Sequence, residues 1–398
     1  MKKILFLIPL FIGASVYAQG PEVTSWKLNT NGATGYANIP SNIQQVQYSV
    51  NNVYISATCI PDYSIGPWNM NPNVPSNQNF VYKITRNPVQ NTGTPVVVGL
   101  GHIGVWSNGV SIFNAKDAMS YNGQGIWNQN AYFFEGASFD NCLGHPAPNG
   151  EYHHHVNPTC LYNDTDSLVH APIIGYAFDG FPVYGAYGFA NPNGTGGIRR
   201  MRTSFALNTG STRNNGPAVS ATYPLGCYIE DHTFIQGSGD LDEHNGRFCV
   251  TPDYPAGIYA YFVTIDSLLD PVFPYTLGAT YYGTVQAGNT GPNGGHNTIS
   301  EPVITYSPSG ISSLENDLFI VDVFPNPANH FITIHINPVV SNNFTAVLYD
   351  MHGKELMRTE NLQPSVFYKL ELPYLLPGIY FLIILNDTHL EVKKIQVR

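Results

Sequence analysis

Between Cys142 and Cys160 the chain reads CLGHPAPNGEYHHHVNPTC, which sets four histidines, a tyrosine and a glutamate between two thiols. If GEYHHHV is extended, successive side chains alternate faces, so His153 and His155 share one face while Tyr152 and His154 share the other. Two imidazoles on one face can chelate a single ion. Imidazole suits zinc, copper, iron or nickel, whereas calcium and magnesium prefer oxygen. A further imidazole, His145, lies just upstream across a PAPNG turn that folds the chain back. The expected cofactor is a transition metal, zinc or copper, on His153 and His155 with His145 or His170 as the third ligand. The plainer alternative is a polar surface strand that binds nothing.

Asp179, in FDGFPVYG, completes the candidate metal set. A carboxylate between aromatics loses solvation and needs a cation or donors around it, so it is a candidate to orient a ligand histidine. The alternative is an Asp-Gly turn that bonds its own backbone. Asp242, in LDEHNGR, reads the same two ways, as turn chemistry or as a partner for Arg247.

The run LGHPAPNGEYHHH, followed by HAPIIGYAFDGFPVYGAYG (His170 to Gly188) and LDEHNGRFCVTPDYPAGIYAYFVT (Leu241 to Thr264), resembles the YHYH domain family. The family takes its name from a Tyr-His-Tyr-His motif. Tyr152, His153 and His155 match it, while its third position, a tyrosine in the family, is His154 here. The resemblance covers roughly the middle half of the chain and implies a fold and a secreted context more than an activity.

The elements that must position these residues read as strands. Only 11% of the 398 residues are charged, and 38 Gly, 30 Pro and 26 Tyr supply turns and strand formers. Short β-branched or aromatic runs such as NVYIS, NFVYKITR, PVVVGL and GIYAYFVTI stand between Asn, Gly and Pro signals, which predicts a mainly β fold, a large sandwich or barrel. One helical turn is expected at Ala115 to Met119. The aromatics, Trp68, Trp106 and Trp127 among them, read as core before they read as a glycan groove.

The N-terminus, MKKILFLIPLFIGASVYAQG, has two lysines, an apolar run and small residues at a cleavage site, so residues 1–18 are expected to be a signal peptide cut after Ala18. Nothing later reaches the ~18 uninterrupted apolar residues of a spanning helix. Residues 19–285 are expected to form the main domain and the breaker-rich stretch 286–320 a linker containing His296. Residues 321–398 carry VFPNPANHFITIHI, a DMHGK hairpin turn, LLPGIY and a basic last strand. They resemble the C-terminal sorting domain of the type IX secretion system of Bacteroidetes, which implies a small immunoglobulin-like sandwich, secretion machinery as partner, and a secreted or outer-membrane surface location.

The net charge of −10 argues against nucleic-acid partners, which need a cationic face. Export permits disulfides, and the economical pairing of the five cysteines is Cys142 with Cys160 and Cys227 with Cys249, leaving Cys59. There is no G-x-S-x-G elbow, H-E-x-x-H helix or phosphate-cradling glycine loop. Three functional readings follow: a metal-binding surface module, a secreted metalloenzyme on the same histidines with an unidentified small-molecule or glycan substrate, and a structural or adhesive domain braced by hydrogen bonds.

Overall fold

In the computed structural model, the structure describes residues 19–291, 294–308, 319–338, 343–351, 353–363, 365–385 and 390–398. The expected signal peptide lies outside the described residues. The chain folds as two compact units, one ending at Tyr306 and one beginning at Ser307.

The first unit is built on two sheets. Alternation in NFVYKITR buries Phe80, Tyr82 and Ile84 on one face of the strand Phe80–Thr85. That strand closes an antiparallel sheet ordered Ile304–Thr305, Ile43–Tyr48, Asn52–Ala57, Phe80–Thr85. Ile304–Thr305, in the middle of the stretch 286–320 read from sequence as a linker, thus supplies an edge strand, with Tyr48 paired to Ile304.

The second sheet has eight strands, in the order Gly246–Cys249, Ile258–Phe262, Pro182–Tyr184, Ile173–Ala177, His102–Trp106, Ser111–Phe113, Tyr152–His154, His145–Pro146. Its central strands Ile173–Ala177 and His102–Trp106 are buried at every position, so they are covered on both faces and read as continuous rather than alternating apolar runs. Val105, Tyr176, Phe178, Tyr184 and Phe262 face the first sheet and form one core with Val46, Ile55, Tyr82 and Ile84. Ile103, Trp106, Ile112, Ile174, Val183 and Tyr261 form a second core on the opposite face. The central strands approach closely enough that a Cβ on Gly175 would stand 2.7 Å from the Val105 carbonyl oxygen. The histidine strand is the last but one of this sheet, so it meets the core on its inner side and a cleft beyond.

Residues 116–120 are a strand, not the expected helical turn. Lys116 pairs with Asn130 and Ser120 with Asn128. A lone turn of helix fixes several dihedrals for one hydrogen bond, whereas this segment finds a ready partner strand.

The second unit is a sandwich of a three-stranded sheet (Phe319–Phe324, Phe331–Pro338, Phe367–Glu371) and a four-stranded one (Glu355–Leu362, Phe344–Tyr349, Gly378–Leu385, Leu390–Val397). Ile332, Ile334, Ile336, Leu348, Leu382, Ile384 and Ile395 form its core. The hairpin at Asp350 closes with the Lys354 amide on its carboxylate, and Gly353 takes the left-handed conformation the turn requires (φ +78°). Among the described residues no helix is long and apolar enough to cross a membrane.

Candidate metal centre

The PAPNG turn decides the geometry. Ala147 N–H donates to the Glu151 carbonyl and Gly150 N–H to the Ala147 carbonyl, and Gly150 has φ +82°. The chain therefore returns antiparallel, with His145 directly opposite His153 and Pro146 opposite Tyr152. On its other side the strand Tyr152–His154 runs parallel to Ser111–Phe113. Strand parity brings His155 to the face of His153, and the register adds His145. The three Nε2 atoms converge, 3.0 Å from His145 to His153 and 3.1 Å from His153 to His155. Nitrogens bound tetrahedrally at zinc distances stand about 3.3 Å apart.

The other ring nitrogens show why this convergence matters. His153 Nδ1 lies 3.0 Å from the Glu151 carbonyl oxygen and His155 Nδ1 2.7 Å from that of Asn114. Carbonyl oxygens only accept, so both rings carry their hydrogen on Nδ1. His145 Nδ1 lies 2.7 Å from Ser138 Oγ, whose own hydroxyl donates to the Glu135 carbonyl, so here too the imidazole is the donor. All three Nε2 atoms are left with lone pairs pointing at one another. A single proton can relieve one of these contacts; a metal ion in their midst relieves all of them. Nδ1 bonded to a carbonyl or hydroxyl is also the usual way a protein orients a ligating histidine.

Burial reinforces this. It pushes His145 down to about 4, with repulsion from His155 adding, and holds His153 well below the ordinary histidine value, with His145 and His155 adding. Phe113 stacks on the His153 ring at 3.8 Å between centroids, and Phe139 lies parallel to His155 at 6.1 Å. Glu135 points its Oε2 at the cluster, 3.1 Å from His155 Nε2 and 3.5 Å from His145 Nε2. The three imidazoles and Glu135 line a cleft of about 470 Å³, with Asn71, Asn73, Phe113, Lys116 and Asp117 on its other walls. Burial pushes Asp117 up to about 6, the charge of Glu135 adding to it.

The back of the strand is an anchor. Tyr152 Oη donates to both oxygens of Asp140, and Asp140 also accepts from the amides of Gly66, Cys142 and Gly144 and from Trp68 Nε1. His154 is fully buried beside Tyr152 and Trp106, and neither of its ring nitrogens reaches hydrogen-bond geometry with a partner. Cys142 and Cys160 are joined in a disulfide. Glu151, next to the strand, accepts from Ser111 Oγ and lies 2.9 Å from His102 Nδ1. Its place between serine and histidine is not that of a nucleophile relay, in which the base stands in the middle.

Of the five candidate ligands the structure gathers His145, His153 and His155 and leaves two elsewhere. His170 lies among Tyr184, Phe189 and Phe262, with Nδ1 2.7 Å from the Ala171 carbonyl. Asp179 is fully buried and accepts from Tyr261 Oη and the amides of Gly283 and Phe181, which supply the donors its burial demands without any histidine. Asp242 resolves as turn chemistry, accepting from the His244 and Gly246 amides, while Arg247 donates to the Phe189 carbonyl. Cys227 and Cys249 are not bonded to one another: Cys249 packs in the core between the sheets, and Cys227 accepts from Arg213, itself paired with Asp231. Glu135, Ser138 and Asn114 were not legible as site residues. Only the S-x-x-x-x-x-x-H spacing of Ser138 and His145 hints at one of them, and weakly.

Two family models match the chain: the one described as YHYH protein over residues 81–272, and the one described as secretion system C-terminal sorting domain over residues 322–398. The first takes in every residue of the centre. No curated protein matches. The sorting domain directs export by the type IX system, to the medium or the outer-membrane surface. The chain is thus an exported YHYH-domain protein, with the histidine centre inside its family domain and the secretion signal at its end.

Proposed function

We propose that this exported protein binds one transition-metal ion, zinc or copper, on the Nε2 atoms of His145, His153 and His155. The observation that carries the reading is that all three Nδ1 atoms meet acceptors, so three converging nitrogens are left with lone pairs and no hydrogen to share. A purely structural brace would need those nitrogens to bond one another, and their tautomers deny it. Metal analysis of purified protein, followed by zinc and copper titration of the stripped chain, tests this. One equivalent is expected for wild type and for His154→Ala, with strong loss in His153→Ala and His155→Ala. Equal, weak binding by all four would refute it.

A second reading, a metalloenzyme on the same centre, is favoured by the cleft that reaches the three imidazoles from outside. A structural site is usually sealed from solvent, whereas a catalytic one leaves the ion a position that water or substrate can reach. Binding of a small exogenous anion to cobalt-substituted protein, seen as a change in its visible spectrum, would support it, and a spectrum unmoved by saturating anion would count against it.

A further inference from the structure

We infer that Glu135 is the fourth donor of this centre and that it sets the charge of the ion admitted, favouring divalent ions over cuprous ion. The inference rests on the metal reading of the triad. Glu135 Oε2 is buried, lacks a hydrogen-bond donor, and faces the Nε2 atoms of His155 at 3.1 Å and His145 at 3.5 Å. A carboxylate oxygen against two lone pairs is repulsive, and a cation seated among them reverses the sign of every contact. The placement follows from local structure. The turn Ala131–Phe134 is capped by the Asn130 side chain and continues into Gly136–Ser138. One short segment therefore supplies the carboxylate of Glu135 and the hydroxyl that orients His145.

Three neutral imidazoles contribute no charge, so Glu135 is the one anionic donor. Its attraction to a dication is twice that to a monocation at equal distance and dielectric. Its oxygen is also a hard ligand, whereas cuprous ion is soft and is content with imidazole nitrogen alone. Asp117 adds negative charge to the cleft but spends its Oδ1 on the Met119 amide. It serves as a control for charge without coordination.

The test uses the full chain, stripped of metal, titrated with zinc and, under anaerobic reducing conditions, with cuprous ion against a chromophoric competitor. Glu135→Gln should weaken zinc about tenfold or more, in the range seen when metal-site partners are removed, while cuprous affinity changes less than about threefold. Asp117→Asn should leave both within about threefold, since screened charge at a distance is worth little beside a lost donor. Coincident thermal unfolding of the stripped wild type and Glu135→Gln checks that the fold is intact. If that variant misfolds, Glu135→Asp replaces it, with an intermediate zinc loss expected because the oxygen is drawn back. Equal zinc affinity in the variant and wild type overturns the inference, as does loss of zinc and cuprous binding by the same factor, and either leaves the triad standing. A wild type that binds neither metal brings down both.

Discussion

Replacing His154 with leucine should stabilise the metal-free protein, although the residue lies within the family motif. The side chain is fully buried and both ring nitrogens lack partners. The Cys142 backbone lies near the ring but outside hydrogen-bond geometry, so the group forfeits its hydration with little compensation, and an apolar residue of similar volume recovers about 1–3 kcal/mol at neutral pH. Acid enlarges the difference. Burial first, then repulsion from His145 and His155, pushes His154 down to about 3 from an ordinary value near 6.5. Below pH 6.5 the unfolded chain takes up a proton at this position and the folded chain does not. The contribution is therefore complete above 6.5 and is lost as pH falls towards 3. At about 1.4 kcal/mol per pH unit, the wild type forfeits about 3 kcal/mol by pH 4 that His154→Leu retains. His145, held at about 4, forfeits its share in both proteins, so the difference isolates His154 to first order. Urea unfolding in EDTA at pH 7, 5 and 4 measures this directly. A variant less stable than wild type at pH 7, or a stability gap that does not widen in acid, would refute the argument.

Ser138→Ala removes the acceptor that fixes His145 Nδ1 and should lower zinc affinity about tenfold with little change in apo stability, read by competition titration; unchanged affinity would mean that the tautomer is set elsewhere. Gly144→Ala places a Cβ on the Tyr152 hydroxyl and 2.9 Å from His154 Nε2, so overpacking beside an anchored tyrosine should cost about 1–3 kcal/mol and loosen the adjoining His145, visible in both denaturation and zinc binding. Reducing Cys142–Cys160, separated by 18 residues, should cost about 3 kcal/mol in unfolding experiments, whereas Cys227→Ser should not mimic that loss. Deleting residues 322–398 should leave the first unit folded, by its circular dichroism, and retained in the cell; export of the truncated chain would contradict the sorting role.

What the sequence made legible was local. Strand parity places His153 with His155 and turns His154 away because alternation is a property of any extended chain, and the PAPNG turn brings His145 across because four residues suffice to reverse it. His170 and Asp179 were misplaced because nothing in a sequence states whether two blocks converge. His170 spends Nδ1 on the Ala171 carbonyl and leaves an unpartnered Nε2 among aromatic rings, Asp179 takes its donors from Tyr261 and Gly283, and neither joins the triad. Glu135 escaped for the opposite reason: FFEG carries no metal spacing, and its carboxylate arrives only because a helical turn ends there, ten residues before His145.

The two faces of one short strand therefore solve different problems. On the cleft side every Nδ1 is satisfied so that every Nε2 is available, an arrangement that leaves the apo centre electrostatically unsettled. On the inner side Tyr152 is tied to Asp140, which gathers three amides and an indole, and the disulfide holds the segment at Cys142. The anchoring must be rigid for the open side to stay poised, since lone pairs held about 3 Å apart repel and a slack strand would let them drift. The rear substitutions, Gly144→Ala among them, should accordingly reach the metal site without touching it. His154 is the exception, a buried polar ring that anchors nothing, and its replacement should strengthen the fold and spare the ion.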